Sequence, residues 1–302
     1  MKSSKILITG GSGFVGRNII DKILKDKADL EIYNLSNKPL EIEGVRNIVG
    51  DATNFDFTKL DNDFDYIVHL LALSNDYYCK DLDLAESINI EFTKKIFQFA
   101  SQLPNLKKIV HMSSVIIYDQ IETPPLKEDA KLYLNYTNYS FTKGISEFYA
   151  KYFLEKEKLP VVIFRLSNIY GPFQDFHNSP FLVPSKIVEA LNGGKIEVFN
   201  LKPERDWIYS MDAAEAVVEA LKSDITGVYN LASGRGISVE EIISEIASQT
   251  GSTYKSLDKP TNGPANLFCD ISKIKSDLNW VPKTNLKEGI SKTIEYIKEN
   301  SK

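Results

Sequence analysis

The chain has 302 residues, 43% hydrophobic and 25% charged, with a net charge of −5; this is the makeup of a folded globular protein, long enough for one large unit or two joined domains. The acidic balance and the lack of a lysine/arginine cluster argue against a nucleic-acid partner, and the longest apolar run, 66–73, is far short of the roughly twenty residues a membrane span needs. Residues 1–5 lead into a strand-like run rather than a secretory apolar segment, and two isolated cysteines, Cys79 and Cys269, offer neither a disulfide framework nor metal-ligand spacing, so a cytoplasmic protein with no metal is expected.

In chain order, short apolar runs at 5–9, 30–35, 47–50, 66–71, 108–112 and 161–166 read as strands. Longer amphipathic stretches at 15–25, 84–102 and 139–156 read as helices between them. Apolar strands alternating with helices predict an α/β fold, a Rossmann-like doubly wound parallel sheet covered on both faces. Crevices in such sheets lie beyond the carboxyl ends of the strands, where strand order reverses; Gly10 to Gly16, Ala72, Ser114 and Asn168 each follow a predicted strand. Past residue 168 the elements shorten (181–191, 197–200, 206–209, 213–221, 239–250, 286–298), which reads as a smaller α/β lobe. The expected division is 1–167 for a dinucleotide-binding domain and 168–302 for a substrate-binding lobe, with interleaved segments. Residues 255–264, rich in proline, glycine and polar side chains, read as a mobile loop. His69 and His111 sit in strand-like runs, where a hydrogen-bonded structural histidine is the expectation.

Gly10, Gly13 and Gly16, with Phe14 and Val15 between them, follow the first strand and open a helix. Glycine permits the tight turn and lets a pyrophosphate approach the backbone, while the helix N-terminus favours anionic oxygens. The placement between strand and helix makes the motif specific. An acidic residue ending the second strand would bond the ribose of NAD, whereas hydroxyl or cationic groups suit the 2′-phosphate of NADP. Ser36, Asn37 and Lys38 stand there and favour NADP over NAD, with Lys38 equally readable as a surface lysine.

Tyr139 and Lys143 lie four residues apart, on one face of a predicted helix, downstream of Ser114. With the glycine motif, this conjunction predicts hydride chemistry on a bound dinucleotide. Fifteen tyrosines make chance matches inevitable, and Tyr152/Lys156, deeper in the same helix, reads as a surface pair.

These residues resemble the extended short-chain dehydrogenase/reductase family, in particular its NAD(P)-dependent nucleotide-sugar epimerases and reductases. The likeness runs through Thr9 to Gly16, Gly50-Asp51-Ala52, His69 to Ala72, Asn89, Ser113 to Tyr118, Tyr139 and Lys143, Arg165 to Pro172, Arg205 to Tyr209 with Asp212, Asn230 to Gly234 and Leu278 to Pro282. It implies that Tyr139 is the general acid/base, that Lys143 lowers its pKa and binds the nicotinamide ribose, and that Ser114, rather than Ser113, holds the substrate oxygen. It further implies that Asp51 bonds the adenine edge, with Ala52, Leu71 and Ala72 lining the cofactor. Asp51 as a turn or helix-capping aspartate, and Asn89 as a helix-internal contact, stand as the plain alternatives.

For the substrate, the resemblance implies a nucleoside diphosphate sugar, with Asn168 and Arg205 at the diphosphate, and Ser74 is a further candidate substrate-binding residue; an Arg205–Asp206 ion pair is the alternative. The family's dehydratases carry an acidic pair after the catalytic serine or threonine, and here Val115 and Ile116 stand there. That disfavours elimination and leaves C4 epimerisation or reduction of a 4-keto sugar. Asn266, where an arginine is common, and residues 200–204, which lack the usual glycines, leave room for an NADP-dependent reductase of a non-nucleotide carbonyl compound. A non-catalytic dinucleotide-binding protein is the remaining alternative. The resemblance also implies a homodimer through 84–102 and 139–156.

Overall fold

The computed structural model describes residues 3–177, 179–260 and 263–301. The first half of the chain forms β1 (Ser4–Thr9), α1 (Phe14–Lys25), β2 (Leu30–Ser36), β3 (Val45–Val49) and β4 (Tyr66–His69), then α2 (Leu82–Glu86), a π-helical turn (Ser87–Glu91), α3 (Phe92–Ala100), β5 (Lys108–Ser114), α4 (Asn138–Glu155) and β6 (Val161–Leu166). The second half adds β7 (Asn168–Tyr170), α5 (Leu182–Leu191), β8 (Lys195–Val198), β9 (Glu204–Tyr209), α6 (Ser210–Lys222), β10 (Gly227–Leu231), β11 (Gly236–Ser238), α7 (Val239–Thr250), β12 (Thr253–Ser256), β13 (Asn266–Leu267), α8 (Ser272–Leu278) and α9 (Leu286–Asn300).

Seven parallel strands make the main sheet, in the order β10-β6-β5-β4-β1-β2-β3. Side chains alternate across a strand, so β1 feeds both faces. Ile6 and Ile8 pack with Ile19 and Ile20 of α1 and Val217 of α6, while Leu7 joins Ile96 and Phe97 of α3 and Phe153 of α4. Each such side chain contributes roughly 1.5–3 kcal/mol on burial. From β1 the chain runs outward to β2 and β3, then returns to the opposite side of β1 as β4. That reversal puts the switch point between β1 and β4.

β10 comes from beyond residue 167 yet completes the main sheet beside β6, and α6 packs on α1, so a single cut after 167 does not separate the two layers. The remaining elements form the smaller lobe. There β9 pairs with β7, β11 and β13, β8 pairs with β12, and α5, α7 and α9 bury Ile187, Ile243, Ile246 and Ile294. The segment expected to be a mobile loop, 255–264, opens as the end of β12, hydrogen-bonded to β8; Thr261 and Asn262 lie outside the described residues. Among the described residues no helix is long and apolar enough to cross a membrane.

Candidate active site

A cleft of about 1220 Å³ opens over the carboxyl ends of β1, β4, β5 and β6 and is closed on the far side by the smaller lobe. Its floor at β1 is the glycine turn. Gly10 holds φ +77°, and a Cβ on Gly16 would stand 2.5 Å from both the Gly10 carbonyl oxygen and the Gly11 Cα, so only hydrogen fits. Gly13 caps α1 without a side-chain hydrogen bond, and Phe14, Val15 and Gly16 line the cleft. Their backbone N–H groups sit at the positive end of a twelve-residue helix, a cradle suited to a dinucleotide pyrophosphate.

Three groups meet at the mouth of β5. Ser114, the last residue of that strand, stands beside the Tyr139 phenol of the first turn of α4, near enough to hold its pKa down. Thr137 and Ser140 form a capping box that fixes where this helix starts. One turn further, Lys143 donates from Nζ to the Met112 carbonyl at 2.5 Å and is almost wholly buried. Burial lowers its pKa from 10.5 to about 8, against the pull of the Glu147 carboxylate. Tyr139 keeps one side open to the cleft, but the protein around it raises its pKa to about 12, with Ser114 opposing the rise. The residue that eases Tyr139 here is therefore Ser114, while the Lys143 ammonium is turned to a strand carbonyl.

Buried polar side chains hold this arrangement. Ser113 is spent elsewhere, donating to Glu147 at 2.6 Å, which leaves Ser114 facing the cleft. Asn89, in the π-helical turn, accepts from the Leu73 N–H at 2.7 Å and donates to the Leu73 carbonyl and to Thr142 of α4. It thus bonds backbone beside the cleft. His69 lies between Thr9 and Thr93; since Thr93 donates its proton to the Asn89 carbonyl, His69 gives Thr93 its Nε2–H and accepts from Thr9. Burial lowers the pKa of His69 to about 3 and keeps it neutral. Tyr152 is exposed and its hydroxyl meets Glu157 at 3.4 Å, a surface contact.

The remaining candidates divide. Ser36, Asn37, Asp51, Ala52, Leu71, Ala72, Ser74, Asn168 and Arg205 line the cleft; Lys38 does not, and is exposed. Ser36 is buried, donating to the Lys38 carbonyl and accepting from Asn34. Asp51 accepts from the Thr53 backbone and hydroxyl through Oδ1, which lowers its pKa and leaves Oδ2 to the cleft. Asn168 spends one amide N–H on the Asp206 carbonyl. Arg205 forms no ion pair with Asp206, which is fully buried and accepts from the backbone of Ser233, Gly234 and Cys269. The Arg205 guanidinium instead donates to the Glu204 and Ala265 carbonyls, and among the described residues no carboxylate pairs with it.

Sequence reading missed two cleft residues, Gln174 and Trp207, and a buried one beside the glycine turn, Asn34. Asn34 lies so near Gly11 that a Cβ there would come within 2.6 Å of its Oδ1. Gln174 and Trp207 line the far wall with Oε1 and Nε1 buried and without partners among the described residues. An asparagine inside an apolar strand was a readable signal at Asn34. Gln174 and Trp207 gave none, because their polar atoms are orphaned only by tertiary packing.

The model of the NAD dependent epimerase/dehydratase family matches residues 6–232. A putative UDP-glucose 4-epimerase of Methanocaldococcus jannaschii is 28% identical, over 98% of this chain and 99% of its own. The UDP-N-acetylglucosamine 4-epimerase of Methanobrevibacter ruminantium M1, solved with UDP-N-acetylmuramic acid, superposes with a TM-score of 0.90 at 27% identity, covering 99% of both chains. The UDP-glucuronic acid 4-epimerase of Bacillus cereus, solved with UDP-glucuronic acid and NAD, superposes with a TM-score of 0.88 at 25% identity, covering 98% of this chain and 99% of the other.

Proposed function

The chain belongs to the NAD-dependent epimerase/dehydratase family, and from that premise we propose that it inverts C4 of a nucleoside diphosphate sugar, using NAD as a resident cofactor. The observation that carries this reading is the make-up of the β5 mouth. Ser114, Tyr139 and Lys143 converge there, while the neighbouring cleft residues Val115 and Ile116 hold no exchangeable proton. One acid/base group supports oxidation and reduction at a single carbon; elimination of water needs further proton-transfer groups there.

The bound dinucleotide supplies the hydride acceptor and donor. As the phenolate, which the positive charge of an oxidised nicotinamide would favour, Tyr139 takes the proton of the C4 hydroxyl as the carbinol becomes a ketone and returns it when the opposite face is reduced. Ser114 hydrogen-bonds the same oxygen and fixes its position, and Lys143 adds positive charge one turn from the phenol. Arg205, a largely buried guanidinium without a carboxylate, meets the diphosphate, and Gln174 and Trp207 offer an acceptor and a donor to the rest of the substrate. NAD is favoured over NADP because Lys38 stands outside the cleft wall and the Ser36 hydroxyl is already bonded. Exposed Leu84, Phe148 and Tyr152 on α2 and α4 support a homodimer through those helices.

Incubation with UDP-glucose and with UDP-N-acetylglucosamine, followed by proton NMR of the anomeric region, tests the reading. Appearance of the C4 epimer without added dinucleotide supports it. Stoichiometric oxidation of NADPH with a 4-keto sugar makes the protein a reductase instead. No turnover of either sugar, together with reduction of small ketones, favours the non-nucleotide carbonyl reading, whose motive is Asn266 in β13.

A further inference from the structure

Three successive residues at the end of β5 are tied to three residues of α4 spaced four apart. The Met112 carbonyl accepts from Lys143, Ser113 donates to Glu147, and Ser114 stands beside Tyr139, holding its pKa down. Two of these links belong to the reading above. The middle one does not, and it is the most heavily built. The Glu147 carboxylate accepts from Ser113 at 2.6 Å, from Arg165 Nη2 at 2.6 Å and Nε at 3.1 Å, and from Lys151 at 2.8 Å, with Glu147 and Arg165 each about 1% exposed. Arg165, on β6, is held in turn by the Glu128 carbonyl and the face of Tyr118 at 4.7 Å.

A buried ion pair rarely gains stability over apolar residues of the same size, so stability alone is a poor reason for one beneath the reacting groups. We propose that Glu147 is a positioning residue of the active site, locking the end of β5 against α4 so that Ser114 stays beside Tyr139 and the Lys143 ammonium stays one helical turn away. The proposal rests on the reading of those three residues as the reacting groups. Glu147 acts in two ways. Its hydrogen bond to Ser113 sets the register of strand against helix, since a shift of one residue would turn Ser114 away from the phenol. Its negative charge, one turn beyond Lys143, favours the ammonium against burial. Among the described residues, the other titratable groups near Lys143 are Cys79 from the loop after β4, His69 on β4 and His111 on β5; both histidines are neutral, their pKa values lowered by burial.

The test compares Glu147→Gln, Glu147→Asp and the double variant Glu147→Gln/Arg165→Met with the full-length wild type. The double variant avoids a lone buried guanidinium, so it answers should Glu147→Gln fail to fold. Turnover of UDP-glucose or UDP-N-acetylglucosamine is followed against pH, and so is NAD affinity, which needs no substrate. In Glu147→Gln and the double variant kcat is expected to fall roughly tenfold or more with KM little changed, and the alkaline limb of both profiles to move to lower pH. Glu147→Asp, which keeps the charge, restores the limb. A limb that stays in place in the variants lacking the charge, with only the Tm lowered, overturns the proposal. A fully active Tyr139→Phe variant would instead overturn the catalytic reading itself.

Discussion

Lys143 reaches out of α4 to the carbonyl of Met112, one residue short of the Ser113–Ser114 pair that ends β5. The contact fixes an ammonium in a buried site, where burial brings its pKa down from 10.5 to about 8. Turnover is therefore expected to fall as pH rises through about 8 and the ammonium is lost. Stability moves the other way: between about 8 and 10.5 the unfolded chain holds a proton at this lysine that the folded chain has released, so unfolding free energy gains from Lys143 as pH rises. Rate and Tm measured over the same pH range check both signs, and Lys143→Met should flatten both.

Tyr139→Phe removes the proton carrier and keeps the ring. Turnover should fall by roughly 10²–10⁴, while NAD affinity and Tm stay near the wild type. Steady-state kinetics with calorimetric NAD titration separate the two effects.

Arg205→Ala removes a largely buried cation that has no carboxylate partner among the described residues. KM for a UDP-sugar should rise roughly 10- to 100-fold, the equivalent of about 1.5–3 kcal/mol of charge-assisted hydrogen bonding. Arg205→Lys should recover only part of it, because an ammonium lacks the planar fork. Thermal stabilisation by UDP alone gives a second measure.

Gly16→Ala pushes a methyl into the backbone of Gly10 and Gly11. Neither neighbour is a flexible side chain, so the glycine turn must deform, costing about 1–3 kcal/mol. NAD affinity should fall more than Tm, since Gly10 and Gly16 line the cleft.

The chain has two tryptophans, and Trp207 lines the cleft while Trp280 is buried in the core. Binding of a UDP-sugar should change the tryptophan emission, and Trp207→Phe should abolish the change. A signal that persists in that variant would remove Trp207 from the substrate contacts.

What was legible in the sequence was local. The apolar runs of β1, β2, β4, β5 and β6 stood out because parallel strands buried on both faces carry little else, and Tyr139 with Lys143 stood out because a helix repeats every turn. The partner of Lys143 did not, being a backbone carbonyl that any residue at 112 would supply. Lys38, read from the end of β2 as a cofactor contact or equally a surface lysine, is exposed and outside the cleft lining, because sequence does not say which way the turn after a strand points. β10 was missed because a five-residue strand becomes one only when β6 is there to receive it. The Glu147–Arg165 pair joins a helix and a strand through spatial adjacency alone.

The placement of β10 also bears on how the chain is made. β6 is completed by its pairing with β10, Val162 opposite Gly227, and β7 through α6 are synthesised in between. At about 5–20 residues per second, β6 waits roughly 3–12 seconds with its outer edge open. An unpaired edge carrying Val161, Val162, Ile163 and Phe164 invites pairing with another chain. Ribosome-stalled or truncated products ending before residue 227 should therefore be the ones that aggregate or need a chaperone, while those reaching past 231 can close the sheet on themselves.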